Sequence, residues 1–251
     1  MPPGAVADAP AVLPVAPTTT GSGDGHDTVA PVSAPPTANP TPAPAPAPTS
    51  TSAPAAPAAT LGNSTDPITR PLVRKGDEWI YRRIAGGDGV LLRQRVTDLN
   101  EVGISVITEV AGSPDSTTAV YDRQWGLLGS GYNTYLPALA YYAFPLYPGK
   151  RWRIDSDVSN FGAGQASRIE GEGVATGFER VDTPAGAFLA LKVVVELDTA
   201  DPGDAARKVR VRETHWYARE ILRPVRVESL TQVANEAPRQ ETIELLRFVL
   251  E

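Results

Sequence analysis

The chain has no cysteine, a single methionine (Met1) and only two histidines, His26 and His215. Without thiols there are no disulfides, no thiolate metal sites and no cysteine nucleophiles. Long apolar runs are also missing, and nothing approaches the roughly 20 apolar residues that a membrane helix needs. A basic excess is lacking too: 23 Lys and Arg stand against 29 Asp and Glu, a net charge of −6. Binding through phosphate neutralisation needs the opposite balance, so no nucleic-acid partner is expected. Lys and Arg are wholly absent from residues 1–65, which hold 15 of the 25 prolines and three acids, Asp8, Asp24 and Asp27.

Such a stretch buries too little apolar surface to offset the roughly 1–2 kcal/mol of backbone entropy lost per ordered residue. Residues 1–65 therefore read as a disordered Pro/Ala/Thr-rich tether. Its Thr41-Pro-Ala-Pro-Ala-Pro-Ala-Pro-Thr49 core favours polyproline II, a semi-rigid spacer. Met1-Pro-Pro-Gly-Ala5 has neither the basic start nor the continuous apolar segment of a secretory signal. Spacers of this kind commonly stand between an envelope anchor and a folded domain. The expected location is thus the bacterial periplasm or outer-membrane periphery, with membrane contact only through an anchor outside the given chain. A cytoplasmic location follows if Met1 is the true start.

From residue 66 onward the pattern changes to short β-branched and aromatic runs separated by turn signals, with no helical period longer than two turns. The spacing predicts ten strands: 78–84, 91–99, 102–110, 117–122, 151–158, 165–176, 188–197, 208–217, 224–233 and 241–250. Turns are expected at Gly86-Gly-Asp-Gly89, Leu99-Asn-Glu101, Ser113-Pro-Asp115 and Asp201-Pro-Gly203. Val102, Ile104, Val106, Thr108 and Val110 share one face, as do Leu191, Val193, Val195 and Leu197, and the opposite faces are charged. The fold class expected is all-β: a strongly curved antiparallel meander, half-barrel or barrel, over residues 66–251. One or two short helical segments are expected, one of them at Pro137–Tyr142.

Three segments occur in a distinctive order: Phe144-Pro-Leu-Tyr-Pro-Gly-Lys-Arg-Trp152, Val181-Asp-Thr-Pro-Ala-Gly-Ala-Phe-Leu-Ala-Leu-Lys-Val193, and His215-Trp-Tyr-Ala218 followed by Arg223-Pro-Val-Arg-Val-Glu228. From about Gly76 to the C-terminus the chain resembles an uncharacterised family of bacterial periplasmic and lipoprotein β-domains, often compared with the lipoprotein carriers LolA and LolB. The family's tryptophan strand usually continues with a proline and a glycine, where this chain has Arg219 and Leu222. The resemblance implies a curved antiparallel sheet that holds something apolar, such as an acyl chain. Each motif also has a plain account: Pro184 and Gly186 make a turn that aims Phe188 inward, and Pro148-Gly149 does the same ahead of Trp152.

Catalytic chemistry finds little support. On strand alternation His215 shares a face with Val209, Val211, Glu213 and Tyr217, and a satisfied buried histidine is the simpler reading. Gly129-Ser-Gly131 lacks the spacing of a nucleophile elbow. The acid pairs Asp155/Asp157 and Glu170/Glu172 have Arg151, Arg153 and Arg168 as cross-strand partners, so surface ion pairs explain them better than glycoside hydrolysis. The chain is expected not to be an enzyme and to need no cofactor or metal, a hydrolase using His215 or a carboxylate pair being the rival. Aromatics crowd between Tyr132 and Trp152. Tyrosine and tryptophan pair an apolar body with a polar tip and suit the rim of a cleft. Trp125, Tyr135, Tyr141, Tyr142, Phe144 and Trp152 are accordingly the candidate ligand-binding residues, for a lipid chain or a lipoprotein segment. The alternatives are that they plug the barrel, or that the domain is a structural module docking another envelope protein.

Overall fold

A computed structural model describes residues 65–87, 89–201 and 204–251. The tether, except for its last residue, and the centre of the Asp201-Pro-Gly203 turn lie outside the described residues. Twelve strands follow in chain order: β1 (Glu78–Ile84), β2 (Val90–Leu99), β3 (Ile104–Val110), β4 (Ser116–Tyr121), β5 (Leu127–Ser130), β6 (Asn133–Leu139), β7 (Arg151–Asn160), β8 (Gln165–Thr183), β9 (Gly186–Asp201), β10 (Asp204–Ala218), β11 (Arg223–Val233) and β12 (Arg239–Val249). Each pairs antiparallel with its sequence neighbours, and β1 pairs with β12, so the meander closes into a barrel. Closure removes the exposed edges that an open sheet would leave.

Period-two alternation puts one face of every long strand inside. Leu191, Val193, Val195 and Leu197 of β9 are buried, as are Val209, Val211, Glu213, His215 and Tyr217 of β10. Trp79, Tyr81 and Phe188 have no exposure at all, and each such side chain contributes roughly 1.5–3 kcal/mol by leaving water. The Pro184-Ala-Gly186 turn does aim Phe188 into this core, with Gly186 at φ +135°.

Three expectations need correction. Val102 lies outside β3 and is 72% exposed, because the Asn100 side chain accepts from Val102 and Gly103 N–H and turns the chain there. β5 and β6 are two further strands that periodicity did not show. The helix at Pro137–Tyr142 does not form: β6 continues to Leu139, and consecutive Tyr141 and Tyr142 are both buried. Among the described residues the helical content is a single 3-10 turn, Arg219–Ile221, closed by Leu222 at φ 61°. That turn stands where the resembled family carries proline and glycine.

The two ends of the barrel differ. At one end, β1/β2, β3/β4, β5/β6, β7/β8 and β11/β12 are joined by short connections. At the other, which we call the loop end, lie the entering segment 65–77, the 140–150 loop, the 122–126 turn and the 3-10 turn. Ile68 and Leu146 exchange main-chain hydrogen bonds of 2.7 and 2.8 Å. The buried Asp77 carboxylate accepts from Arg74 N (2.7 Å) and Glu251 N (2.8 Å), which fastens the C-terminus beside β1. The tip of the long β8–β9 hairpin projects past this end and packs back on β10–β12: Trp216 donates its indole N–H to Glu179, and Phe188 meets Phe248 at 6.5 Å between ring centroids.

The seam between β6 and β7 is closed in an unusual way. Main-chain pairing stops at Leu136 opposite Asp157. Beyond that, β7 side chains span the gap, Ser156 Oγ donating to Pro137 O (2.7 Å) and Trp152 Nε1 to Ala140 O (3.0 Å). The Trp152 ring lies flat on Gly173, where any Cβ would fall 2.1 Å from its Cε2.

Candidate functional site

The inner wall carries polar groups that β alternation places among apolar ones. Gln94 stands between Leu92 and Val96 on the inner face of β2, Thr108 follows Val106 on β3, Glu213 and His215 follow Val211 on β10, and Arg223 precedes Val225 and Val227 on β11. All of these are buried. They form two hydrogen-bonded groups inside the barrel.

In the first, His215 is held on both nitrogens. Nε2 lies 2.9 Å from Glu213 Oε2, and Nδ1 lies 2.5 Å from the Tyr142 hydroxyl. Ser229 Oγ donates to the other Glu213 oxygen at 3.1 Å. With the carboxylate accepting from Nε2–H, Nδ1 is free to accept the Tyr142 proton, and a neutral imidazole is fully satisfied. Tyr141 stacks on the imidazole, with centroids 6.0 Å apart. Burial pushes the Tyr141 and Tyr142 phenols well above their ordinary value, and the Arg223 charge partly offsets this for Tyr142.

In the second, the Arg223 guanidinium lies among the rings of Trp125, Trp79 and Tyr121, at 5.1, 5.4 and 5.8 Å from their centroids. Its Nη2 donates to Gln94 Oε1 (2.8 Å), and Gln94 Nε2 donates to Thr108 Oγ1 (3.3 Å). Buried Tyr81 gives its hydroxyl proton to Pro224 O (3.1 Å) and has its pKa pushed up to about 12 by desolvation.

The structure brings four of the six expected ligand residues to this end. Tyr142, Phe144 and Tyr217 make mutual edge or tilted contacts at 5.2–5.8 Å, with Tyr141 beside them on His215. Trp125 stands with Tyr121 over Arg223, on a backbone at φ +65° that a bulky residue rarely adopts. Tyr135 is buried on β6, and Trp152 lies in the β6–β7 seam over Gly173. Phe144 also borders a concavity of about 370 Å³ at the loop end, together with Pro145, Thr69, Arg70 and Gln124.

The acid pairs sit on the outer wall. Asp155 binds Arg168 on β8 and Arg153 two residues earlier on β7, while Glu170 binds Arg153 and Glu172 faces Arg151 across the β7–β8 pair. The Arg168 guanidinium holds the Asp155 carboxyl below the usual carboxylate range. A shallow groove of about 600 Å³ runs over this ladder, lined by Arg151, Arg153, Glu172, Glu196 and Asp198 among others. No group of three or more metal-ligating side chains occurs among the described residues.

Sequence reasoning singled out the His215 face but passed over Arg223, although it lies in a quoted segment. The available signal was parity: Arg223, Val225 and Val227 alternate with Pro224 and Arg226, so one of the two arginines had to share the valines' face.

No family model and no curated protein matches the chain. Among solved structures, a candidate lipoprotein of Parabacteroides distasonis is similar at 13% identity, covering 73% of this chain and 100% of its own, with a TM-score of 0.49. A candidate exported protein of Bacteroides fragilis with a YmcC-like fold is similar at 19% identity over 73% of this chain and 99% of its own, TM-score 0.46. The hypothetical lipoprotein YmcC of Escherichia coli is similar at 12% over 68% and 84%, TM-score 0.41. None of these three is LolA or LolB, and at such identities function does not carry across.

Proposed function

We propose that this chain is a non-enzymatic binding domain of the bacterial cell envelope that seats an apolar ligand, a lipid chain or a lipoprotein segment, at the loop end of its barrel. The observation that carries the reading is the concavity of about 370 Å³ bordered by Phe144, whose ring meets those of Tyr142 and Tyr217. Its size falls in the ordinary range of ligand sites, roughly 300–1,000 Å³. The seat is the loop end rather than the middle of the barrel, where tyrosine, tryptophan and branched side chains already occupy the inner positions. Binding rather than catalysis is favoured because the strongest base candidate, His215, is 0% exposed and has both nitrogens engaged.

A second reading, a module that docks another envelope protein, is favoured by one feature at the opposite end. Tyr132 and Phe161, on neighbouring turns, are 66% and 65% exposed and meet edge to face at 5.8 Å.

Native mass spectrometry of the chain purified from its producing bacterium, followed by lipid extraction, tests the first reading. A retained lipid is expected, and it is lost from a Tyr141→Ala/Phe144→Ala variant. A clean apo mass that takes up no offered lipid overturns the ligand reading and leaves the docking module, to be pursued by cross-linking in the intact envelope through Tyr132 and Phe161.

A further inference from the structure

Arg223 is 4% exposed, yet it forms no ion pair among the described residues. Its Nε is buried with no acceptor. What surrounds the guanidinium is neutral: the Gln94 carbonyl oxygen at 2.8 Å, the hydroxyls of Tyr81 and Tyr121, and three aromatic faces within 5.8 Å. The buried carboxylate on the same inner wall, Glu213, bonds to His215 and Ser229 and makes no contact with Arg223.

Burying a cation without a counter-charge costs several kcal/mol, and aromatic faces return only part of that, about 2 kcal/mol when desolvated. A methionine would fill similar space without the penalty. The charge is therefore poorly explained by packing alone, and it is well explained by a negative group that arrives from outside.

The approach is built in. Gln124 borders the loop-end concavity, and the next residue, Trp125, is the ring nearest the guanidinium at 5.1 Å. The Trp125 indole N–H makes one long hydrogen bond, to Pro71 O at 3.3 Å. On the rim, Arg70 donates to the Arg123 carbonyl (3.0 Å) and is in no ion pair among the described residues. One arginine on the rim and the Gln124-Trp125 pair thus connect the concavity in sequence to the buried cation.

We propose that Arg223 receives the anionic head of the ligand, so that the ligand is a single-chain amphiphile ending in a carboxylate or a phosphate, with its tail in the Phe144-bordered concavity. This rests on the loop end being the ligand seat. A guanidinium donates in parallel to either head with matched geometry, and Trp125 is the side chain the head displaces.

The test compares decanoate, decyl phosphate and decanol, which share a tail and differ in the head, by calorimetry and tryptophan fluorescence on the full chain. At least one anionic probe is expected to bind about tenfold or more tightly than decanol, a difference of about 1.4 kcal/mol. Decanoate against decyl phosphate separates the two heads. The preference disappears in Arg223→Met and is retained in Arg223→Lys. Equal binding of all three probes overturns the role of Arg223 and leaves the ligand seat standing, as does a preference that survives Arg223→Met. Binding of none overturns the seat itself. Should Arg223→Met not fold, the Arg223 Nε–H resonance of the unaltered protein decides. It is expected to shift with the anionic probe and not with decanol, and an unmoved resonance in a saturated sample refutes the proposal.

Discussion

Five tyrosines make the barrel sensitive to alkali. Desolvation raises the phenols of Tyr81 and Tyr135 to about 12, and those of Tyr141, Tyr142 and Tyr217 are raised as well. Below pH of about 10 these phenols are neutral in both the folded and the unfolded chain and contribute no pH dependence. Above it the unfolded chain loses protons that the folded chain keeps, so stability falls as pH rises, by about 1.4 kcal/mol per unit for each tyrosine. Acting together, five would remove roughly 7 kcal/mol per unit, against a total stability of typically 5–15 kcal/mol for a domain. The fold should therefore be lost within about one to two units above pH 10. An equilibrium titration followed by phenolate absorbance and by far-ultraviolet circular dichroism checks this. The five buried phenols are expected to ionise together with the loss of β signal, in one steep step. Gradual ionisation of all five near pH 10 with the β signal intact would refute the dry interior on which the burial argument depends, and would indicate a water-filled barrel.

Two further perturbations probe the side-chain seam. Gly173→Ala places a Cβ 2.1 Å from Trp152 Cε2; thermal unfolding should show a loss of about 1–3 kcal/mol, largely relieved when Trp152 is also changed to Leu. Ser156→Ala removes the 2.7 Å bond to Pro137 O and should cost about 1–3 kcal/mol, with faster hydrogen exchange confined to β6; unchanged exchange there would mean that the hydroxyl does not hold the seam.

Alternation and turn chemistry reveal most of this fold because a barrel wall repeats one local rule. Where a strand is long and one face is wet, as in β9 and β10, the inner residues can be read off by parity, and ten of the twelve strands are found that way. The failures share a cause. β5 is four residues long, too short for a period to show, and β6 carries Pro137 and the adjacent exposed pair Leu136-Pro137, which breaks alternation. Its main-chain partners are few, and it is held by Ser156 and Trp152 from β7, contacts that no local pattern encodes. The aromatic cluster was legible as composition, but the contacts within it were not. Tyr142 and His215 are 73 residues apart and meet only because the barrel closes. Arg223 and Gln94 are 129 apart and meet for the same reason.

The departures from an ideal meander are unevenly placed, and their placement is itself an argument about function. At the short-turn end, Gly86, Gly112, Gly131 and Gly164 take the positive φ angles that the turns require, as a merely structural cap would have it. At the loop end the rules are broken repeatedly. Trp125 and Leu222, both bulky, take left-handed backbone, at about 1–2 kcal/mol each, whereas the short-turn end has Asn235, a residue type that tolerates that conformation. A cation is buried without a counter-charge, and a four-membered polar chain from Tyr142 to Ser229 replaces hydrophobic packing. Random tolerance of strain would scatter such features around the barrel. The placement of Trp125, Leu222 and Arg223 at the loop end, which also holds the concavity bordered by Phe144, is the distribution expected when local stability is given up for a site. It makes the loop end, rather than the charged outer wall, the place where mutation should change what the protein binds.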